Sequence, residues 1–262
     1  MATTLVTLNC FDSPLSLSRH SRLNLLAAKI ISLKPDLIFF QEITFTKTAA
    51  QFASLFREHG YKVYYDAGFI LNKGGLFTAS LLPLGPSRFV RFKNQGKFLS
   101  LQFTDKILGK GYQQLQLSLG GKDVTLFNVH LANVYNHNSP GEQKILQNQL
   151  KQLTQSLTEV KNAIVCGDFN FSPASPLYTT LLETTNLIDP LSHSNLVTVS
   201  SGNTHRQGPL KQGTGQKLDY TLISKGLFQK VVSQVIFSQL FQVNNQNIHL
   251  SDHFGLLVTL ET

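Results

Sequence analysis

The octapeptide AIVCGDFN, Ala163 to Asn170, decides how the rest of the chain is read. Its apolar opening, Ala163–Cys166, reads as a buried strand, and the Gly-Asp-Phe-Asn turn then breaks it. The strand therefore ends on a carboxylate, Asp168, and a carboxamide, Asn170. One such pair says little, because Asp and Asn commonly cap turns through local backbone hydrogen bonds. The pattern gains meaning by recurring. LVTLN ends at Asn9, LIFFQE at Gln41 and Glu42, and LFNVHLAN at His130 and Asn133. KLDY opens a strand with Asp219, and HLSDHFGLL sets Asp252 and His253 just ahead of another. If these strand ends converge, they gather a carboxylate-rich, His-containing pocket. That inventory suits Mg²⁺ held through oxygen ligands, with Mn²⁺ as its substitute, and an activated water. No Cys falls at metal-ligand spacing and no HExxH occurs, so zinc is disfavoured.

Outward from the octapeptide, Glu142–Val160 carries apolar residues at helical spacing and reads as a long amphipathic helix. Leu177–Thr184 reads as a short one. Nearer the N-terminus, strand Leu5–Asn9 leads to helix Arg22–Ser32, which Pro35 stops, and then to strand Leu37–Phe40. Helix Ala49–His59 ends at Gly60 and precedes strand Lys62–Asp66. The middle reads as strands Gly75–Leu81, Arg88–Phe92, Phe98–Thr104, Gly111–Leu119 and Asp123–His130, with Gly120-Gly121 as a hairpin turn between the last two. Leu218–Ser224, Val231–Ser238 and Phe254–Leu260 supply the closing strands. Strands alternating with helices at both ends, around central hairpins, suit an α/β architecture. Two mixed β-sheets would pack face to face with helices outside, rather than form one doubly wound parallel sheet.

With 262 residues, no repeat and no linker, a single domain over 1–262 is expected. The 42% hydrophobic content against 15% charged residues is ample for a core and excludes a disordered chain. A formal net charge of +8 favours anionic partners: nucleic acid, a phospholipid surface or a small phosphorylated substrate. Cys10 and Cys166 are too few for a disulfide framework and read as buried free thiols. No signal peptide and no run of 18 apolar residues is visible, so the expectation is a cytoplasmic monomer without a transmembrane segment.

GDFN (Gly167–Asn170) and SDH (Ser251–His253), supported by QE after an apolar strand and by LDY (Leu218–Tyr220), resemble the endonuclease/exonuclease/phosphatase superfamily, in this order and from Leu5 to Leu260. The resemblance implies a four-layered α/β sandwich and a Mg²⁺-dependent phosphoric ester hydrolase that attacks with a metal-activated water. It implies Glu42 as principal metal ligand, with Asn9 close by and Asp252 reaching the metal directly or through water. Asp168 would orient and deprotonate the attacking water, and Asn170 would hold that water or a phosphoryl oxygen. His253, paired with Asp219, would stabilise the charge growing on a phosphoryl oxygen. His130 and Asn133 would line the phosphate pocket. Asp12 falls one position beyond the place where some DNA-repair members carry an acid, and stays outside the set. Thr204-His205 marks a weaker substrate-side loop.

Abasic-site nucleases of this superfamily usually carry Tyr where this chain has His130. The His-Leu pair, the Gln-rich helix after it and the ending SDHFGLLVTLE are more similar to sphingomyelinase, phosphatase and tyrosyl-DNA phosphodiesterase branches. A sphingomyelinase-like phosphodiesterase acting on a phospholipid head group is placed ahead of a DNA or RNA nuclease or tyrosyl-DNA phosphodiesterase. With no Trp in the chain, stacking or membrane contact would fall to Phe. A catalytically silent scaffold is the reading from another class, and the filled motif positions speak against it.

Overall fold

The computed structural model describes residues 2–96, 103–135, 139–206 and 215–261. In chain order the elements are β1 (Ala2–Asn9), α1 (Arg19–Leu33), β2 (Leu37–Gln41), α2 (Thr46–Glu58), β3 (Lys62–Ala67), β4 (Asn72–Ser80), β5 (Leu84–Arg91) and α3 (Phe103–Leu108). There follow β6 (Gly111–Leu119), β7 (Lys122–His130), α4 (Pro140–Thr158), β8 (Ala163–Asp168), α5 (Pro176–Thr184) and β9 (Leu187–Ile188). The chain closes with β10 (Asp219–Ser224), β11 (Lys230–Ile236), β12 (Phe241–Val243), β13 (Gln246–Ile248) and β14 (Gly255–Glu261).

Two six-stranded mixed sheets result, one in the order β11-β14-β1-β2-β4-β3 and the other β5-β6-β7-β8-β10-β9. The period-2 alternation of the strands builds the layers. In β2, Leu37 and Phe39 face the second sheet, whereas Ile38 and Phe40 pack under α1 and α2 with Leu26, Ile30, Phe52 and Phe56. In β8, Ile164 and Cys166 meet the first sheet, whereas Ala163 and Val165 pack under α4 and α5 with Leu150, Leu153 and Leu181. Helix, sheet, sheet and helix thus stack as the α/β sandwich expected.

The inter-sheet layer is not wholly apolar. Gln41 Nε2 donates to Asn128 Oδ1 across it at 2.7 Å, and Asn128 Nδ2 donates to the carbonyls of Phe40 and Phe77 at 3.1 and 3.2 Å. These buried amides fix the register of one sheet on the other, because any slip would leave them unpaired.

The expected elements appear with shifted ends. The long helix starts at Pro140, with Ser139 accepting from the Glu142 N–H as its N-cap. The strand expected at Phe98–Thr104 is corrected in part: 97–102 lie outside the described residues, and from Phe103 the backbone is the helix α3. Both cysteines are buried free thiols. No helix among the described residues is long and apolar enough to cross a membrane.

Candidate active site

Strand alternation brings the polar ends together. Val124 and Leu126 of β7, and Ile164 and Cys166 of β8, join the core between the sheets. The same two-residue period therefore turns His130 and Asp168 into that interface at the strand ends. Strand register makes this a row across one sheet: His130 is the partner of Asp168 in parallel pairing, and Asp168 of Asp219 in antiparallel pairing. From the facing sheet, Leu5 sets the phase that carries Asn9 toward the same place.

Backbone geometry explains part of the GDFN motif. Gly167 has φ +143°, and a Cβ there would lie 2.0 Å from the Val129 carbonyl oxygen, so only glycine lets β8 lie this close to β7. Asn170 takes φ +54°, which Asn tolerates better than most residues. Glu42 also has a positive φ, +53°, held by Asp12 N–H donating to its carbonyl at 3.0 Å. Such local strain persists where surrounding structure dictates it.

Asn9 is the hinge of the cluster. Its Nδ2 donates to Glu42 Oε1 at 3.1 Å and to Asp168 Oδ2 at 3.0 Å. His253 Nδ1 lies 2.8 Å from Asp219 Oδ2, while its Nε2 lies 3.8 Å from Asp168 Oδ2. Ser251 stitches the SDH loop to β1, its hydroxyl donating to the Asn9 carbonyl at 2.6 Å and accepting from the His253 N–H at 3.3 Å. Asn203 Nδ2 in turn donates to the Ser251 carbonyl at 2.8 Å. Asn170 closes its turn by donating its N–H to Asp168 Oδ1 at 2.9 Å, and its Nδ2 donates to the Leu131 carbonyl at 2.9 Å. Asn133 lines the cavity, its backbone N–H donating to Asp105 Oδ2 at 3.3 Å.

The electrostatics divide the two histidines. Burial opposes charge on His253, yet Asp219, Asp168 and Asp252 outweigh it and lift its pKa to about 10. His253 is therefore an imidazolium at neutral pH. Burial depresses His130 well below the usual histidine range, and Lys110 and His253 push the same way. His130 is therefore neutral. Burial raises Asp168, with His253 pulling back and Asp219 adding to the rise. Glu42 keeps 27% of its side chain exposed, but burial of its surroundings and the charge of Asp252 push it up to about 7.

Sequence reasoning missed Lys110 and Asp105. Lys110 Nζ reaches His130 Nε2 at 2.7 Å, the Leu131 carbonyl at 3.0 Å and Asp105 Oδ1 at 3.1 Å. It is 2% exposed, a buried ammonium at the edge of the carboxylate cluster. A lysine between two glycines reads as a solvated turn, and nothing in the sequence contradicts that reading. Asp12, set aside on the sequence, is neutralised by Arg19 at 2.5 Å and accepts from the Phe45 N–H at 3.1 Å, which makes it a loop anchor.

Above the cluster lies a cavity of about 810 Å³ whose floor includes Glu42, Asp168, Asp252 and His253 and whose walls include Phe11, Leu71, Val134 and Phe171. The donors suit a hard divalent cation, being carboxylate oxygens without sulfur. Asp168, Asp219 and His253 form a buried group whose ligand atoms lie within 4.8 Å of one another, close enough to bind a metal. In that group His253 Nδ1 is already bonded to Asp219 Oδ2 at 2.8 Å. Glu42 and Asp252 could also hold a cation, because burial and the charge of Asp252 raise Glu42 and a bound cation would offset that rise.

A family model described as "Endonuclease/Exonuclease/phosphatase family" matches residues 6–253. The chain belongs to that family. Its members are hydrolases of phosphate esters, and the cluster above occupies the cavity such chemistry needs. Endonuclease/exonuclease/phosphatase relatives show how far the likeness extends. A Drosophila melanogaster protein named "Putative neutral sphingomyelinase" is 24% identical over 275 residues, which cover 98% of this chain and 60% of that protein. The chain thus spans 60% of that relative's length. Sphingomyelinase C from Streptomyces griseocarneus superposes with TM-score 0.75 at 15% identity, covering all of both chains. TDP2 of D. rerio, solved with a single-strand DNA product, superposes with TM-score 0.76 at 15% identity, covering 100% of this chain and 99% of that one. At these identities the solved structures share the fold.

Proposed function

We propose that the protein is a Mg²⁺-dependent phosphodiesterase of the sphingomyelinase-like kind, hydrolysing the head-group phosphodiester of a phospholipid within one catalytic domain. The observation that carries the hydrolase reading is a cavity floor of Glu42, Asp168 and His253, held from beneath by Asn9, His130 and Asp219. A phosphodiester is an anion that repels nucleophiles, so its hydrolysis needs charge neutralisation and an in-line water. Asp168, lifted by burial and oriented by the Asn9 amide, is placed to take the proton of that water. His253, held as a cation by Asp219, faces Asp168 with Nε2 and donates to a phosphoryl oxygen as charge grows there. Lys110 adds a second fixed positive charge, and neutral His130, accepting from its ammonium, sets its position. Asn170 shapes the turn beneath Asp168, and Asn133 lines the mouth. Glu42 and Asp252, with Asn9 beside them, would hold Mg²⁺, which when bound supplies electrophilic charge to a phosphoryl oxygen and acidifies water.

The cavity wall favours lipid over nucleic acid. Among the described lining residues the cationic side chains besides His253 are Lys110 and Arg206, and Lys110 is paired with Asp105. A groove that tracks a nucleic-acid backbone needs a longer run of cations. The net charge of +8 keeps a nuclease or tyrosyl-DNA phosphodiesterase as the second reading. Purified protein with Mg²⁺ should hydrolyse sphingomyelin vesicles, and EDTA or Asp168→Ala should abolish turnover. Turnover of a 5′-tyrosyl oligonucleotide or abasic duplex, with sphingomyelin untouched, would install the second reading.

A further inference from the structure

The loops around the cavity mouth display their largest apolar side chains outward. Phe69 is 101% exposed, Leu15 91%, Ile70 63% and Ile107 53%. Single exposed apolar residues are ordinary, but these share one rim. Their chain neighbours Pro14, Leu71 and Leu108 all line the same cavity, as does Ile107 itself.

The tips are held rigidly rather than left to collapse. Phe69 and Ile70 cap a turn closed by the Gly68 N–H donating to the Leu71 carbonyl at 2.9 Å. Thr46 fastens that turn to the start of α2, its N–H donating to the Ile70 carbonyl and its hydroxyl to the Gly68 carbonyl, both at 2.9 Å. Leu15 sits in a turn closed by the Ser16 N–H donating to the Ser13 carbonyl at 3.0 Å. Exposed cations flank the tips. Lys47 follows Thr46, Lys73 follows Asn72, and Lys106 precedes Ile107. Lys106 also shares a second surface depression with Arg91 and Lys93. Of the acids nearby, Asp12 is paired with Arg19, and burial raises Asp66 while the charge of Lys73 pulls the other way.

From this combination we infer that the rim formed by Leu15, Phe69, Ile70 and Ile107, with its flanking lysines, is the face by which the protein docks on the surface of an anionic phospholipid bilayer. The inference rests on the phospholipid reading above and gives that site its route to substrate. Apolar tips enter the head-group and upper acyl region while cations meet anionic head groups, the two components of interfacial binding. Three of the four tips are aliphatic and cannot stack on bases, which sets single-stranded nucleic acid aside as the occupant. With the rim seated, the cavity mouth opens onto the head-group layer.

The test is sedimentation of the full chain in EDTA with sucrose-loaded phosphatidylcholine vesicles, with and without phosphatidylserine and free of sphingomyelin. Wild type should bind, more tightly with phosphatidylserine. F69S/I70S should lose about 10- to 100-fold in partitioning, as expected for withdrawing two apolar side chains from an interface. K47E/K106E should lose about tenfold or more on phosphatidylserine vesicles alone, at roughly 1 kcal/mol per lysine. Turnover of bis-p-nitrophenyl phosphate, which needs no bilayer, should be unchanged in F69S/I70S and shows that the variant is folded. Equal sedimentation of F69S/I70S and wild type overturns the proposal. So does absence of wild-type binding, and light scattering that shows a dimer undone by F69S/I70S would then assign the rim to a second copy. Binding that depends on Phe69 and Ile70 without sphingomyelin turnover supports the docking face and removes only the substrate assignment.

Discussion

Lys110 Nζ lies 2.7 Å from His130 Nε2, and this contact decides which of the two is the cation. The ammonium donates, the imidazole accepts, and burial holds His130 neutral. Lys110→Met should lower turnover about 10²–10³-fold, the scale for one lost transition-state donor. It should also cost about 3–5 kcal/mol of stability by leaving Asp105 buried without its partner. D105N/K110M should recover much of that stability in urea titration and none of the activity. Recovery of both would demote Lys110 to a structural role.

His253 carries a pH prediction. Its folded pKa is about 10, above its ordinary value of 6.5, so the pairing with Asp219 contributes stability fully below pH 6.5. That contribution is lost as pH rises through 10. Asp219→Asn should therefore show its largest Tm deficit near pH 6, with the gap to wild type narrowing toward pH 10. In activity, the alkaline limb of the pH–rate profile should move to lower pH in the variant. An unmoved limb would mean that His253 titrates independently of Asp219.

Glu42 runs in the opposite sense. A carboxyl raised from 4.5 to about 7 costs the fold nothing below pH 4.5 and progressively more up to pH 7. Glu42→Gln should raise the stability of metal-free protein at pH 8, by an amount on the order of 1–3 kcal/mol. The same change should abolish catalysis and the Tm increase produced by Mg²⁺. A variant that keeps the Mg²⁺-dependent increase would move the metal away from Glu42.

Gly167→Ala should be among the most damaging single changes in the chain. The added Cβ meets the Val129 carbonyl at 2.0 Å in a backbone of φ +143°, and both strands carry site residues. A loss of about 3–5 kcal/mol in urea unfolding is expected. Any folded remainder should be inactive, because separating β7 from β8 moves His130 away from Asp168.

Much of the site was legible because strand ends announce themselves. Apolar runs that stop on Asn9, His130 and Asp168 carry their own phase, and two-residue alternation suffices to aim all three inward. Lys110 and Asp105 carried no such mark. Lys110 sits between glycines just after α3, in a local turn that pairs it with Asp105, and only the packing of that turn against β7 brings it to His130. The Gln41–Asn128 bond was hidden too, since two amides far apart in sequence reveal a contact only once sheets are stacked. The Phe69–Ile70 turn differs again. Glycines at 68, 74 and 75 mark it as a solvated loop in sequence, but its place on the cavity rim follows only from the turn that fastens it to Thr46.

The pairing of β1 with β14, Ala2 opposite Glu261, joins the two ends of the described chain. A ribosome therefore delivers Asn9, Glu42, His130 and Asp168 long before the loop that brings Asp252 and His253. Until β14 emerges, β1 has an open edge, and the cavity floor has carboxylates but not the imidazolium that answers them. Long-range closure of this kind is slow and leaves an edge available to other strands meanwhile. One strand thus answers two needs: β14 covers the edge of β1, and the loop that leads into it sets the imidazolium beside the carboxylates.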